Sequence, residues 1–340
     1  MTAPDPLQRS RIGRTDVTVL RLGFGTMTIG GFKAALQDSE AQAVLAAAWS
    51  TGLRFYDTAP QYGCGLAEER LGAFIAQRTR GDAVIASKVG KRIADIGSGG
   101  ARQHLFPGGH DREMVFDYSY DGTLRIVEDS LKRLGTDRLD LVLIHDVTRH
   151  FHGEDGVHTR FAEARDGAVR ALQRLKSERV IRAFGTGLKD VDIALAFAEQ
   201  CGIDCVLVPG RMTLLEQSAL TSGLLDRCHR LGVSVIAAAA FDSGILATGA
   251  VAGATYGYKD ADAAIIARVE AIERVCTDFA VPLQAAALQF PRRHPAVAGI
   301  LVSMRTPAEV AQNVAWMQVP IPDALWEALG DRADVALPSA

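Results

Sequence analysis

Eight short apolar runs alternate with amphipathic stretches almost to the end of the chain, and this rhythm limits the fold more than any other feature. The runs cover residues 20–24, 54–57, 83–88, 139–145, 182–186, 205–209, 234–238 and 298–302. Each is a continuous block, as expected for parallel strands buried on both faces. Between them, Phe116, Tyr120, Leu124, Val127, Leu131 and Leu134 recur at helical spacing, as do Ala168, Ala171, Leu172 and Leu175. Gly52, Gly135, Gly202 and Gly232 follow helical stretches, where a C-terminal cap favours a positive φ. Eight strand–helix units close into a (β/α)8 TIM barrel. A doubly wound open sheet is the competing architecture, and it normally carries GxGxxG between its first strand and helix. Here GFGTMTIGG has the glycines without a helical pattern after them. The segment RIGRTDVTVLRLG, residues 11–23, reads as a β-hairpin set to plug the N-terminal mouth of the barrel. Two polar segments, 91–113 and 147–158, are expected to be long loops on the C-terminal face, where a barrel carries its active site.

A chain of 340 residues, 48% of them apolar, is long enough for one such barrel as a single domain spanning 1–340. The formal charge is −3, without a basic block, so nucleic acid is not an expected partner. No apolar run approaches the ~18 residues of a membrane span. The first sixteen residues lack the apolar core of a signal peptide, and a cytoplasmic location is expected. Cys64, Cys201, Cys205, Cys228 and Cys276 are odd in number and form no CxxC, which fits reduced thiols. Cys201 and Cys205 lack a second ligand pair, so no metal is expected there.

Three strand ends carry ionisable residues. The second run ends in Asp57, with Tyr62 in the loop beyond; the third ends in Lys88 and the fourth in His145. In a barrel these ends share one rim. Asp57 is expected to hold Lys88 charged, and Lys88 in turn to favour the Tyr62 phenolate. Tyr62 then exchanges a proton with a substrate oxygen closer to neutral pH than a free phenol does, while His145 orients that oxygen. Taken singly, each residue has an ordinary explanation, an Asp as an N-cap or a His in the core. Their coincidence at neighbouring strand ends is what points to chemistry.

The element Asp57-Thr-Ala-Pro-Gln-Tyr62-Gly, the strand-end Lys88 and His145, the opening LGFGTM and the later RLGTDRLDLVLIH together resemble the aldo-keto reductases, in order and over nearly the whole chain. That resemblance implies a (β/α)8 barrel moving hydride between a nicotinamide cofactor and a carbonyl or hemiacetal carbon. It implies Tyr62 as general acid–base, Lys88 and Asp57 as the groups that tune it, and His145 as the group that positions the substrate oxygen. It also implies cofactor contacts from Gly25, Thr26, Met27 and Asp57, from Gly187 and Pro209 after strands five and six, and from Phe241, Ser243 and Gly244 in FDSGILATG. Ser303, Met304, Arg305, Glu309 and Asn313 in VSMRTPAEVAQN complete that implied set.

Several positions depart from the family pattern. Ser303 and Glu309 stand where members that prefer a phosphorylated cofactor often carry Lys and Arg. This favours NAD, with NADP as the alternative. Thr306-Pro-Ala-Glu309 is also a capping-box pattern. Gly187, Leu188 and Pro209 replace the usual carboxamide contacts, and strand seven lacks a Tyr to stack on the nicotinamide. FDYSYDGTLR, IHDV, FGTG, GRMTLLEQ and AAALQFPRRHPAV resemble the bacterial aldose dehydrogenase branch, which implies oxidation of L-fucose or D-threo-aldoses at C1 to a lactone. A related branch implies pyridoxal as the alternative small-molecule substrate. Phe106, Phe151, Tyr256, Tyr258 and Trp316 are the aromatic residues available to line its pocket. A cofactor-binding regulatory barrel and a metal-dependent hydrolase using His145 and Asp146 are the weaker rivals.

Overall fold

All eight apolar runs form strands: β1 (Leu22–Gly25), β2 (Phe55–Asp57), β3 (Val84–Ala94), β4 (Leu139–His145), β5 (Ile181–Gly187), β6 (Cys205–Pro209), β7 (Ser234–Ala238) and β8 (Val297–Ser303). The computed structural model describes residues 5–97, 101–102, 104–333 and 335–336. Consecutive barrel strands pair in parallel, and β8 pairs back onto β1, so the barrel closes without a free edge. Helices follow the strands, among them Asp38–Ser50, Leu66–Ile75, Tyr120–Leu134, Val191–Gln200, Leu224–Leu231, Ala263–Asp278 and Pro307–Gln318. Ser119, Asp262 and Thr306 cap three of them by accepting from a first-turn N–H, which satisfies donors the helix itself cannot.

Side-chain alternation along each strand divides the apolar residues into two layers. Phe55, Ala86, Leu141, Leu143, Ala183, Cys205, Leu207, Ile236 and Leu301 fill the barrel interior. Phe24, Tyr56, Ile85, Val142, Ile144, Val206 and Val208 point outward under the helices. The expected hairpin pairs Arg9–Arg11 with Thr18–Leu20. Its buried Ile12, Val17 and Val19 join the interior cluster and so close the N-terminal mouth. Each side chain so buried contributes ~1.5–3 kcal/mol relative to exposure. The turn fits because Gly13 has φ +53, and a Cβ there would lie 2.7 Å from the Asp204 carbonyl oxygen.

Both expected rim loops turn out to hold regular structure. Beyond Val89, β3 continues outward to Ala94 and pairs antiparallel with Glu113–Asp117, which places Phe116 on a strand rather than on the helix. Residues 98–100 and 103 of that segment lie outside the described residues. The segment from 147 enters the helical stretch Arg149–Glu163 almost at once, breaks at Gly153 (φ +70, ψ 176), and runs on through a π-helical turn, Ala164–Val169, into Arg170–Ser177. Arg149 anchors its start through Asp190 and Asp192. Tertiary contacts therefore hold a polar stretch in helical turns on either side of Gly153. No helix among the described residues is long and apolar enough to cross a membrane.

Candidate active site

The alternation that points Phe55, Ala86, Leu141 and Leu143 into the barrel also points Asp57, Lys88 and His145 inward, at the C-terminal ends of β2, β3 and β4. Lys88 Nζ donates to Asp57 Oδ2 at 2.6 Å and to the Thr58 carbonyl at 2.8 Å, and all three residues are buried. Burial alone lowers the Lys88 pKa. The Asp57 carboxylate and the Tyr62 hydroxyl outweigh it, so the ammonium is held charged.

Tyr62 reaches the same point from the β2 loop. Its ring stands beside Lys88, whose Nζ lies 4.8 Å from the ring centroid and whose charge acts on the hydroxyl. Gly30 makes room for the loop: a Cβ there would come within 2.8 Å of the Tyr62 backbone. The His145 imidazole stands perpendicular to the Tyr62 ring at 6.5 Å. Burial pulls the His145 pKa down to about 3, with Lys91 and Lys88 reinforcing it, so the imidazole is neutral. The structure brings together all four residues expected from the sequence.

One expectation about them is reversed. Lys88 does favour the Tyr62 phenolate, but burial is the larger influence and pushes the pKa up to about 12. The resting side chain is a neutral phenol, poised as a proton donor.

The other rim positions surround this group. Gly25 pairs with Asp57 and with Ser303. Gly187 is buried beside Lys88 and Leu143, and a Cβ there would meet both in ordinary packing contact, at 3.8 and 3.7 Å. Pro209 ends β6. Met304 accepts from Thr28 Oγ1 through its carbonyl at 2.6 Å. After β7, Phe241 packs against Trp316 with ring centroids 6.0 Å apart. Ser243 Oγ accepts from the Tyr258 N–H at 3.1 Å, tying the 255–260 hairpin to this loop. Among the aromatic residues expected at the pocket, Phe106 stacks on Tyr62 at 6.1 Å and Tyr258 joins it through Phe32. Phe151 packs instead against Phe116 and the Lys91 ammonium.

Comparison with known proteins decides the family, since the sequence profile of the Aldo/keto reductase family matches residues 21–331. The chain belongs to the aldo/keto reductase family. It is 38% identical over 332 residues to the pyridoxal 4-dehydrogenase of Microbacterium luteolum, spanning 95% of this chain and 96% of that one. It is 34% identical over 322 residues to the D-threo-aldose 1-dehydrogenase of a Pseudomonas species, spanning 93% and 95%. An aldo-keto reductase of Bacillus halodurans, solved in its holo form, superimposes with a TM-score of 0.74 at 23% identity, covering 97% of this chain and 98% of its own. This aldo/keto reductase is therefore an oxidoreductase of a family that uses nicotinamide cofactors.

The rim of this aldo/keto reductase fits such a cofactor. Thr26 Oγ1, Asp57 Oδ1 and Asn313 Oδ1 are buried without a hydrogen-bond partner, and buried polar atoms are rarely left so. At the β8 end, Glu309 Oε2 accepts from the Arg305 backbone N–H at 2.7 Å, and Thr306 caps the helix. The Arg305 guanidinium donates to the carbonyls of Phe32, Ala34 and Ala35.

Sequence reasoning passed over two charged features here. Lys91 is buried, and its Nζ reaches Asp146 Oδ2 at 2.5 Å and Gln61 Oε1 at 2.8 Å. This contact occupies the carboxylate considered with His145 as a metal ligand. Among the described residues no three His, Cys, Asp or Glu side chains group as a metal site would. Asp242, inside FDSG, accepts from Thr213 Oγ1, and burial pushes its pKa up to about 7. A carboxylate flanked by Phe241 and Ser243 was the available signal.

Proposed function

We propose that this chain oxidises a cyclic hemiacetal to a lactone, with Tyr62 taking the hydroxyl proton while the hydride leaves the same carbon. The observation that carries this reading is the buried Lys88–Asp57 pair, 2.6 Å apart, with the Lys88 ammonium 4.8 Å from the centre of the Tyr62 ring. A phenolate formed there faces a fixed cation. Tyr62 returns the proton in the reverse reaction, for which its neutral resting form is already suited. His145, with a pKa near 3, holds the reacting oxygen by a hydrogen bond rather than by charge. When bound, an oxidised nicotinamide supplies the hydride acceptor and a positive charge that favours the phenolate.

Gly25, Thr26, Met27, Gly187, Pro209, Phe241, Ser243, Gly244, Ser303, Met304, Arg305, Glu309 and Asn313 are the residues that would hold it. A preference for NAD is supported by the Glu309 carboxylate at the β8 helix start and by the engagement of Arg305 with loop carbonyls.

Pyridoxal is the substrate best supported, because Phe106 and Phe32 extend an aromatic surface from Tyr62 that suits a flat ring. An aldose oxidised at C1, of the L-fucose or D-threo type, is the second reading. It is supported by the polar side of the mouth, where Asp146 stands beside His145. The test is a matrix of pyridoxal, L-fucose and D-arabinose against NAD+ and NADP+ on purified protein. Nicotinamide reduction is followed by near-ultraviolet absorbance and the lactone by mass. Reduction with pyridoxal and NAD+ at the highest kcat/KM is expected. Absence of lactone from every pairing defeats the reading.

A further inference from the structure

Asp146 is the first residue beyond β4, and its φ of +57 is left-handed. Asp and Asn tolerate that region better than most side chains. Its N–H donates to the Gly187 carbonyl at 3.1 Å, and its own carbonyl accepts from Thr148 N at 2.9 Å, so the backbone is fixed on both sides. The result is a carboxylate turned over the barrel mouth. Its charge acts on Tyr62, Tyr258 and Lys189, which come from three different loops.

Lys91 pins this carboxylate. The ammonium lies 2.5 Å from Asp146 Oδ2 and 4.1 and 4.9 Å from the ring centroids of Phe151 and Phe116. It also bonds Gln61, the neighbour of Tyr62 in sequence. Asp146 Oδ2 stands 3.6 Å from His145 Nε2, too far for a direct hydrogen bond. A carboxylate has about four acceptor sites, and a neutral imidazole keeps one donor and one acceptor. A hydroxyl group set beside the reacting oxygen can therefore bond to the carboxylate while His145 holds the reacting oxygen itself.

We propose that Asp146 is a specificity-determining residue that accepts a hydrogen bond from a second substrate hydroxyl, next to the reacting carbon, and that Lys91 is the residue that positions it. The substrate class is thereby narrowed to hydroxylated carbonyls and hemiacetals. The proposal rests on the reading of Tyr62 and His145 as contacts of the reacting oxygen; an aldose carries such a hydroxyl on the carbon next to the reacting one, whereas the remaining hydroxyl of pyridoxal stands one ring atom further on.

The test compares reduction of glyceraldehyde, which has the neighbouring hydroxyl, with reduction of propionaldehyde, which lacks it. Both are run with the cofactor that the wild type uses better. The wild type is expected to favour glyceraldehyde in kcat/KM. Asp146→Asn, which keeps the shape and tolerates the backbone, is expected to lower the glyceraldehyde-to-propionaldehyde ratio about tenfold or more. Lys91→Met is expected to lower the ratio in the same direction, and it tests the positioning role separately. A ratio within about twofold of wild type in both variants, whatever the absolute rates, overturns the assignment. If the wild type discriminates between the two aldehydes through Asp146 yet forms no lactone, the hydroxyl site stands and the hemiacetal reading falls.

Discussion

At the N-terminal end of the barrel, Asp140 is buried with both carboxylate oxygens occupied. Oδ2 accepts from Arg80 and from the Ile85 N–H, and Oδ1 accepts from Arg182. Asp204 is held likewise by Lys176 and the Phe184 N–H. At the C-terminal end, Asp57 is as deeply buried, yet only Oδ2 is engaged, and Thr26 Oγ1 and Thr58 Oγ1 beside it have no partner. One end therefore buries charge and satisfies it, under a hairpin that seals the mouth. The other end leaves hydrogen-bonding capacity open where the mouth is open. The same residue type has both oxygens satisfied at one end and keeps one oxygen without a partner at the other. Burial alone does not separate the two cases; the state of the second oxygen does.

The contrast is broken most directly at Tyr62. Tyr62→Phe is expected to cut turnover in both directions by about 10²–10⁴-fold with little change in melting temperature, because the ring packing is kept. Steady-state rates and a thermal melt of one preparation test this, and comparable loss of both would make Tyr62 structural.

A second, smaller expectation concerns pH. With Tyr62 pushed up to about 12, the phenol form needed for reduction persists, so reduction should stay level between about pH 6 and 9. The phenolate needed for oxidation gains ~tenfold per pH unit below that pKa, so oxidation should rise with pH. His145, neutral above about 3, adds no acid limb in that range. Rate profiles in both directions at saturating cofactor check the signs. An oxidation rate that fell with rising pH would remove Tyr62 as the base.

At the sealed end the order of effects inverts. Ile12→Ala removes a fully buried side chain from the interior plug and is expected to cost ~2–5 kcal/mol in urea unfolding, with kcat of the folded enzyme unchanged. The smallest effect belongs to Thr26→Val. Replacing a buried hydroxyl that has no partner should leave stability level or raise it by up to ~1 kcal/mol, while weakening nicotinamide binding about fivefold. Fluorescence titration beside a chemical melt reads both quantities. A variant that unfolded more easily and bound the cofactor normally would erase the distinction between the two ends.

Much of this was legible in the order of residues. Continuous apolar blocks give buried parallel strands, and a polar residue closing such a block lies at a strand end, so Asp57, Lys88 and His145 stood out without any structure. The extension of β3 did not stand out. Residues 90–94 are ordered by pairing with Glu113–Asp117, and no local pattern encodes a ladder that distant. The helix from Arg149 was hidden for the same reason, since its anchors are Asp190 and Asp192 beyond β5. Lys91 therefore read as part of a loop, and its contact with Asp146 was out of reach. The Tyr62 pKa went the wrong way because sequence names the charges around a group but not how deeply it is buried.

The N-terminal plug has a consequence for the order in which the chain assembles. The Gly13 N–H donates to Ser234 Oγ, and that oxygen in turn donates to the Arg11 carbonyl, across 221 and 223 residues of sequence. A hairpin made early in synthesis thus has no seat until β7 has emerged from the ribosome. Until then Ile12, Val17 and Val19 remain apolar surface on a nascent chain, the kind of exposure that invites aggregation or recruits a chaperone. The latch that makes the finished barrel stable is also the contact that must form late, which makes the hairpin the natural place to look for a slow step in folding.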